Sequence, residues 1–181
     1  SAPKANTSAA SRCGAASPTL NDASEPKLEG WGRLPRPGRE VRSEDFEELT
    51  RDRTLSRGLG RSYGDSSLPA KPGGVVASSV LADRLLAFDP ESGIFRDEAG
   101  LSLQALNRLF LPRGFYSPVA PGTQHITLGG MVASDVHGKN HHRDGCFGAH
   151  VRRLKLRVAD GRLVECGPDL EPDLFRATVG G

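Results

Sequence analysis

The sequence has 181 residues, of which 36% are hydrophobic, and its mean hydropathy is −0.41, so it suits one domain with a modest core. A formal net charge of +2, spread-out basic residues and a single tryptophan argue against nucleic acid as a partner. No apolar run is long enough to cross a bilayer, so no transmembrane segment is expected.

The first 27 residues form an Ala/Ser-rich tail, in which seven alanines and five serines fill half of the first 24 positions. Such a segment buries too little apolar area to offset its ordering entropy, so disorder is expected there. The domain is expected over residues 28–181, with Trp31 as a packing anchor. Ser43 is predicted to cap a short helix that ends near Arg51.

A glycine-rich loop, Arg57-Gly-Leu-Gly-Arg-Ser-Tyr-Gly-Asp65, follows a predicted strand over Thr54–Ser56. Its glycines invite a Rossmann interpretation, but the prolines that follow exclude the helix which that motif must open. Successive backbone N–H groups of such a loop can still form an anion-binding nest, so phosphate binding is favoured over a structural turn. Arg57 and Arg61 are expected to pair with Asp65 or with phosphate.

The later elements are predicted from periodicity, turns and caps. Ser102 is predicted to cap a helix with Leu109 among its inward residues, and Thr127 to cap a second helix over Leu128–Ser134. Asp160-Gly161 is a hairpin turn signal. The remaining predicted elements are strands at Val75–Ala77, Leu85–Asp89, Gly93–Glu98, 151–158 and Leu163–Cys166, and a helix at Pro172–Thr178.

All five histidines lie between residues 125 and 150, close to Cys146. Zinc is disfavoured because no metal-ligand frame such as C-x-x-C is present. The three cysteines, with odd count and wide spacing, fit a reducing, cytoplasmic compartment better than a disulfide framework; association with the cell envelope stays open.

Several segments together resemble the FAD-binding (PCMH-type) domain of the vanillyl-alcohol-oxidase-like flavoproteins. The resemblance rests on RGLGRSYGD at 57–65 and HGKNHH at 137–142, supported by Gly30–Arg33, Pro121–Thr123 and Thr127–Gly130. It implies an α+β fold of two small subdomains with noncovalent FAD between them. It also implies that a substrate domain, carrying the general base, lies beyond residue 181, so this chain alone is expected to be inactive.

The resemblance also implies the site residues. His137, Lys139 and Tyr63 would stand by the flavin and the substrate. The implied cofactor contacts are Ser56, Arg57, Gly58, Leu59, Gly60, Arg61, Ser62, Tyr63, Gly64, Asp65, Ser66, Gly122, Thr127, Leu128, Gly129, Gly130, Ser134, Asp135, Val136 and His137.

The activity implied is oxidation of a sugar hydroxyl by hydride transfer to the flavin, best matched by the 2-hydroxyl of a polyprenylphosphoryl pentose, for a role in cell wall biosynthesis. The implied partners are a sugar-phosphate or other alcohol substrate and a partner reductase. Two alternatives stay open. One is another alcohol, alditol or aldonolactone oxidase of the same superfamily, and the other is a flavin- or nucleotide-binding module without chemistry.

Overall fold

A computed structural model describes residues 26–52 and 55–181, so the predicted disorder of the tail falls almost wholly outside the described residues. Lys27 is described, and it already belongs to a strand. The chain forms eight strands and five α-helices in this part, with two 3-10 turns. No helix in the described ranges has the length and apolar character needed to cross a membrane.

A four-stranded sheet carries the glycine loop. Its strands are β1 (Lys27–Glu29), β2 (Pro35–Arg42), β3 (Ser56–Arg57) and β4 (Gly74–Ser78), in the spatial order β1-β2-β4-β3. β1 runs antiparallel to β2, whereas β2 and β3 both pair with β4 in parallel. Because β3 is an edge strand and the loop follows it directly, the loop begins at the edge of this sheet.

Two hairpins complete the strands, one formed by β5 (Leu85–Asp89) and β6 (Ile94–Asp97), the other by β7 (Leu154–Arg157) and β8 (Leu163–Cys166). The helices are α1 (Phe46–Leu49), α2 (Leu103–Phe110), α3 (Leu128–Ala133), α4 (His141–Asp144) and α5 (Pro172–Thr178). The 3-10 turns span Leu111–Arg113 and Phe147–His150. The α+β class predicted from the sequence is confirmed, as are most element positions.

The apolar side chains form two separate clusters. The larger one joins α2, α3 and the segments around them, and consists of Leu101, Leu103, Leu106, Phe110, Val119, Leu128, Met131 and Phe147. The smaller one lies under the four-stranded sheet and consists of Leu28, Leu68 and Val76. The glycine loop starts from the sheet of the smaller cluster and contacts Thr127, which starts a helix of the larger one.

Four details differ from the sequence predictions. Asp45 rather than Ser43 caps α1, because its side chain accepts from the Glu48 N–H at 2.9 Å. Leu109 is exposed on the outer face of α2 rather than inward. Trp31 is not a buried anchor, because about half of its surface is exposed. The strand predicted at Thr54–Ser56 begins at Ser56, with residues 53–54 outside the described part.

Candidate functional site

The glycine loop offers a run of unused backbone donors. None of the N–H groups from Gly58 to Asp65 donates to an acceptor within the described part of the chain. Gly60 has φ +66°, in the left-handed region that glycine adopts without strain. Free N–H groups on consecutive residues are a suitable surface for a negatively charged oxygen cluster such as a diphosphate.

The ends of the loop are tied down while its middle is left open. The Leu68 N–H donates to the Asp65 carbonyl at 2.9 Å, and the Asp65 carboxylate forms an ion pair with Arg36 at 2.5 Å. Ser67 and Leu68 are buried, whereas Tyr63 at the tip is 88% exposed. The loop is therefore fixed at its base and presents its tip to whatever it binds.

Arg57 does not pair with Asp65, as the sequence suggested it might. Its side chain is only 8% exposed and forms an ion pair with Glu40, with Nε and Oε1 2.7 Å apart. Burial raises the pKa of Glu40, but hydrogen bonds from Arg42 and Arg57 outweigh it, so this pKa lies below its ordinary value. Of the two partners that the sequence left open for Arg57, Asp65 is excluded, because Arg57 is held by Glu40 and Asp65 by Arg36.

Arg61 lies on the outer side of the loop among aromatic rings. Its guanidinium carbon is 5.9 Å from the centroid of the Trp31 ring, within cation–π range, and Nε donates to the His125 carbonyl at 3.3 Å. The Trp31 and Tyr63 rings meet edge to face with centroids 6.0 Å apart. This group joins the tip of the loop to the segment that leads into α3.

The start of α3 contacts the loop, but the N–H groups of its first three residues already have acceptors. Within α3 and its cap, Leu128 N–H donates to Leu101 O at 2.8 Å, Gly129 N–H to Ala99 O at 2.9 Å, and Gly130 N–H to Thr127 Oγ1 at 3.1 Å. The backbone N–H groups of these three implied cofactor contacts are therefore not available to a diphosphate. Its role here is steric, since a Cβ on Gly58 would lie 2.4 Å from Thr127 Oγ1.

The histidine-rich stretch forms a second group of predicted site residues. His137 and Lys139 are exposed, and the His137 ring meets the His141 ring edge to face at 5.3 Å. Asp135 has φ +38°, and its carboxylate accepts from the Gly148 N–H at 2.8 Å. Val136 donates to Met131 O at 3.0 Å and accepts from Phe147 N–H at 2.9 Å, which fixes the chain just before His137.

The remaining predicted contacts are exposed or partly exposed. The exposed ones are Ser56, Ser66, Gly122 and Ser134, and the partly exposed one is Ser62. Among residues 26–52 and 55–181 no three His, Cys, Asp or Glu side chains are placed to hold a metal ion. Two shallow clefts, one beside α1 and one beside α2, lie away from the glycine loop and include none of the predicted site residues.

Sequence reasoning missed the residues that hold the loop from behind. Arg57 is held by Glu40 and Ser67, and Asp65 is held by Arg36. The partners in these pairs are 10 to 29 residues apart in the chain. The alternation of β2 places Glu40 on one face of a strand, but nothing local to the sequence pairs it with Arg57.

Comparison with known proteins identifies the fold and the family. A family profile described as FAD binding domain matches residues 50–167. Decaprenylphosphoryl-beta-D-ribose oxidase of Mycolicibacterium smegmatis is 40% identical over 169 residues, which cover 86% of this chain and 36% of that protein. D-Arabinono-1,4-lactone oxidase of Yarrowia lipolytica is 27% identical over 154 residues, covering 80% of this chain and 29% of that protein.

Among solved structures, 6-hydroxy-D-nicotine oxidase from Arthrobacter nicotinovorans superposes with a TM-score of 0.66 at 18% identity. The match covers 83% of this chain and 34% of that one, and at this identity it concerns the fold alone. The chain spans about a third of the length of these relatives.

Proposed function

This chain belongs to the FAD binding domain family, and from that premise we propose that it is the FAD-binding part of an oxidoreductase acting on CH–OH groups. When bound, the flavin supplies the redox chemistry by accepting a hydride from a carbinol carbon. The residues described here bind and orient the cofactor and the substrate. The remaining substrate-binding part, with the general base, would lie outside residues 1–181.

One observation carries this proposal, namely the unused N–H run from Gly58 to Asp65. A diphosphate bears negative charge on several oxygens, and consecutive backbone N–H groups meet them without requiring any charged side chain. Thr127 packs against Gly58 so closely that a methyl group there would clash, so glycine at this position lets the loop lie against the start of α3. The residues present therefore fit the diphosphate of FAD at the glycine loop.

The side chains that would face the reacting groups are those exposed beside the loop and in the histidine stretch. Tyr63 at the loop tip would border the flavin ring. His137 and Lys139 carry donors and positive charge into solvent, which suits a sugar phosphate or the developing charge of a reduced flavin. Ser134, Asp135 and Val136 would set the position of His137 at the cofactor.

For the substrate we propose a polyprenylphosphoryl pentose, oxidised at its 2-hydroxyl to a ketone. The support is the 40% identity to decaprenylphosphoryl-beta-D-ribose oxidase over most of this chain. The similarity to D-arabinono-1,4-lactone oxidase favours a second candidate, an aldonolactone or related alcohol. A partner reductase for the flavin and a cytoplasmic location near the cell envelope complete the proposal.

The test is reduction of the bound flavin in the full-length protein without oxygen. The protein, loaded with FAD, is mixed with a polyprenylphosphoryl pentose, an alditol or an aldonolactone, and loss of the yellow flavin absorbance is followed. Rapid bleaching by the pentose alone supports the first substrate, and bleaching by the lactone alone supports the second. Tight FAD binding with no bleaching by any alcohol would overturn the proposed oxidoreductase activity. The alternative of a flavin-binding module without chemistry would then stand.

A further inference from the structure

Arg57 is the residue on which the base of the glycine loop converges. Besides the ion pair with Glu40, its Nη1 donates to Ser67 Oγ at 3.1 Å and to the Ser67 carbonyl at 3.3 Å. Its Nη2 donates to the Glu29 carbonyl at 2.6 Å. One buried guanidinium thus connects the start of the loop with Ser67, two residues beyond its end, and both with strands β1 and β2.

The backbone of Arg57 is held as firmly as its side chain. Its carbonyl accepts from the Ser79 N–H at 2.9 Å, and strand β3 pairs Arg57 with Ser78 of β4. The rigid fork of arginine is suited to such a site because it presents five donors in one plane. Four of its five N–H donors are occupied inside the protein and its side chain is only 8% exposed, so the guanidinium is committed to internal acceptors rather than to a phosphate.

The charge of Arg57 is paired within the protein as well. Glu40 is shared with Arg42, whose Nη2 lies 2.9 Å from Oε2. A buried charge that is paired and hydrogen-bonded on all sides fixes geometry more than it adds affinity for an outside anion. The loop that it holds, by contrast, keeps its N–H groups free of internal acceptors.

We propose that Arg57 is a positioning residue for the diphosphate of FAD, which it never touches. By joining the two ends of the loop, it fixes the run from Gly58 to Asp65 in the conformation that binds. A loop with three glycines would otherwise lose much conformational entropy on binding, and ordering it beforehand strengthens affinity. This inference rests on the proposed function of the chain as an FAD-binding domain.

The test compares two flavins in the full-length apoprotein. FAD carries the diphosphate and riboflavin does not, so only FAD reports on the loop. Dissociation constants are measured by flavin fluorescence for the wild type, Arg57→Gln and Arg57→Lys. We expect Arg57→Gln to weaken FAD binding about tenfold or more while riboflavin changes less than about twofold, with Arg57→Lys in between.

Arg42→Gln is the matched control, because Arg42 donates to the same Glu40 carboxylate but makes no contact with the loop. It is expected to leave the FAD/riboflavin affinity ratio unchanged. Low millimolar guanidinium should restore part of the FAD affinity of Arg57→Gln by filling the vacated position.

Ser67→Ala keeps the proposal falsifiable if Arg57→Gln does not fold. It removes only the Oγ acceptor at the far end of the loop. A few-fold loss of FAD affinity with unchanged riboflavin affinity supports the proposal. The proposal is overturned if the variants weaken the binding of both flavins equally. It is also overturned if FAD affinity is unchanged in every variant that folds. If the wild type binds riboflavin as tightly as FAD, the diphosphate adds no affinity. That result would overturn the assignment of the glycine loop to the diphosphate, which belongs to the proposed function itself.

Discussion

The guanidinium of Arg57 occupies the space into which a side chain on Gly60 would project. A Cβ built on Gly60 would lie 2.3 Å from Arg57 Nη2 and 2.7 Å from its central carbon. Gly60 also has φ +66°. Two independent constraints, steric and conformational, therefore require glycine at this position.

Gly60→Ala is expected to lower the free energy of unfolding by about 1–3 kcal/mol, because it combines a strained backbone with displacement of Arg57. Gly64→Ala in the same loop is the control, since nothing lies within 4 Å of a Cβ there and its φ is not positive. Urea unfolding of both variants measures the difference. Equal stability of the two would contradict the contact between Arg57 and Gly60.

A second prediction concerns Gly58 and Thr127, which meet where the loop contacts the start of α3. A Cβ on Gly58 would lie 2.4 Å from Thr127 Oγ1 and 3.1 Å from Cγ2. Thr127 also caps α3, so Thr127→Ala alone should cost about 1 kcal/mol of stability. Because alanine removes both clashing atoms, Gly58→Ala should be less damaging in the Thr127→Ala background than in the wild type.

The measurement is a double-mutant cycle by chemical denaturation. A coupling energy of about 0.5–3 kcal/mol, with the double variant more stable than the sum predicts, is expected for residues in contact. Strict additivity of the two single effects would show that the loop and α3 do not touch at this point.

What the sequence alone predicted well is local in origin. Each well-predicted feature depends on residues within a few positions of one another, so its signal lies within one stretch of sequence. These features are the Ser102 and Thr127 caps, the Asp160-Gly161 turn and helix α5. The glycine loop was also visible, because glycine content reports directly on backbone freedom.

What the sequence could not predict depends on distant pairs. Arg57 pairs with Glu40 across 17 residues, and Asp65 with Arg36 across 29, so neither partner was among the alternatives that the sequence left open. The first two N–H groups of α3 donate to the carbonyl oxygens of Leu101 and Ala99, which the fold brings alongside the helix. Neither pairing leaves a pattern in the sequence, because both are made by tertiary packing.

Asp97 is expected to make stability fall as the pH rises. It lies in β6 two residues after Phe95, on the face that packs against the larger apolar cluster. Burial, with the nearby Glu98 charge, raises the pKa of Asp97 to about 7. Below about pH 4 the carboxyl is protonated in both states, so it contributes no pH dependence there.

Between about pH 4 and 7 the unfolded chain releases the Asp97 proton while the folded protein retains it, so the free energy of unfolding falls across this range. Asp97→Asn removes this loss and should be more stable than the wild type at pH 8, with little difference near pH 4. Denaturation at both pH values measures it. A stability difference that does not grow with pH would show that Asp97 ionises freely in the folded protein.

His137 and Lys139 are expected to matter for turnover and not for folding. Both are exposed, and the His137 ring has only an edge-to-face contact with His141. His137→Ala or Lys139→Ala in the full-length enzyme should therefore reduce kcat by an amount equivalent to about 2–4 kcal/mol, the scale of one lost polar contact to a transition state. The melting temperature should stay close to that of the wild type.

His142→Ala is the control for that experiment, since His142 is exposed in the same stretch and its ring also meets the His141 ring edge to face, with centroids 5.9 Å apart. Its turnover should resemble that of the wild type. If His137→Ala and Lys139→Ala lose activity only in proportion to their loss of thermal stability, their role is structural.

The last prediction is that the flavin is held without a covalent bond. The family resemblance implies that a covalent tether within this loop would use a histidine at the position of Arg61, and a guanidinium cannot form that bond. The Arg61 side chain is instead occupied by the Trp31 ring and the His125 carbonyl. Tyr63, the loop's remaining nucleophilic candidate, packs its ring edge to face with Trp31 and is otherwise in solvent.

Acid precipitation of the FAD-loaded full-length protein should release all of the flavin into the supernatant. Arg61→His then serves as the comparison, since it places a histidine at that position. Yellow colour that stays in the washed wild-type pellet would mean that a covalent bond forms through another side chain, with Tyr63→Phe as the first variant to examine.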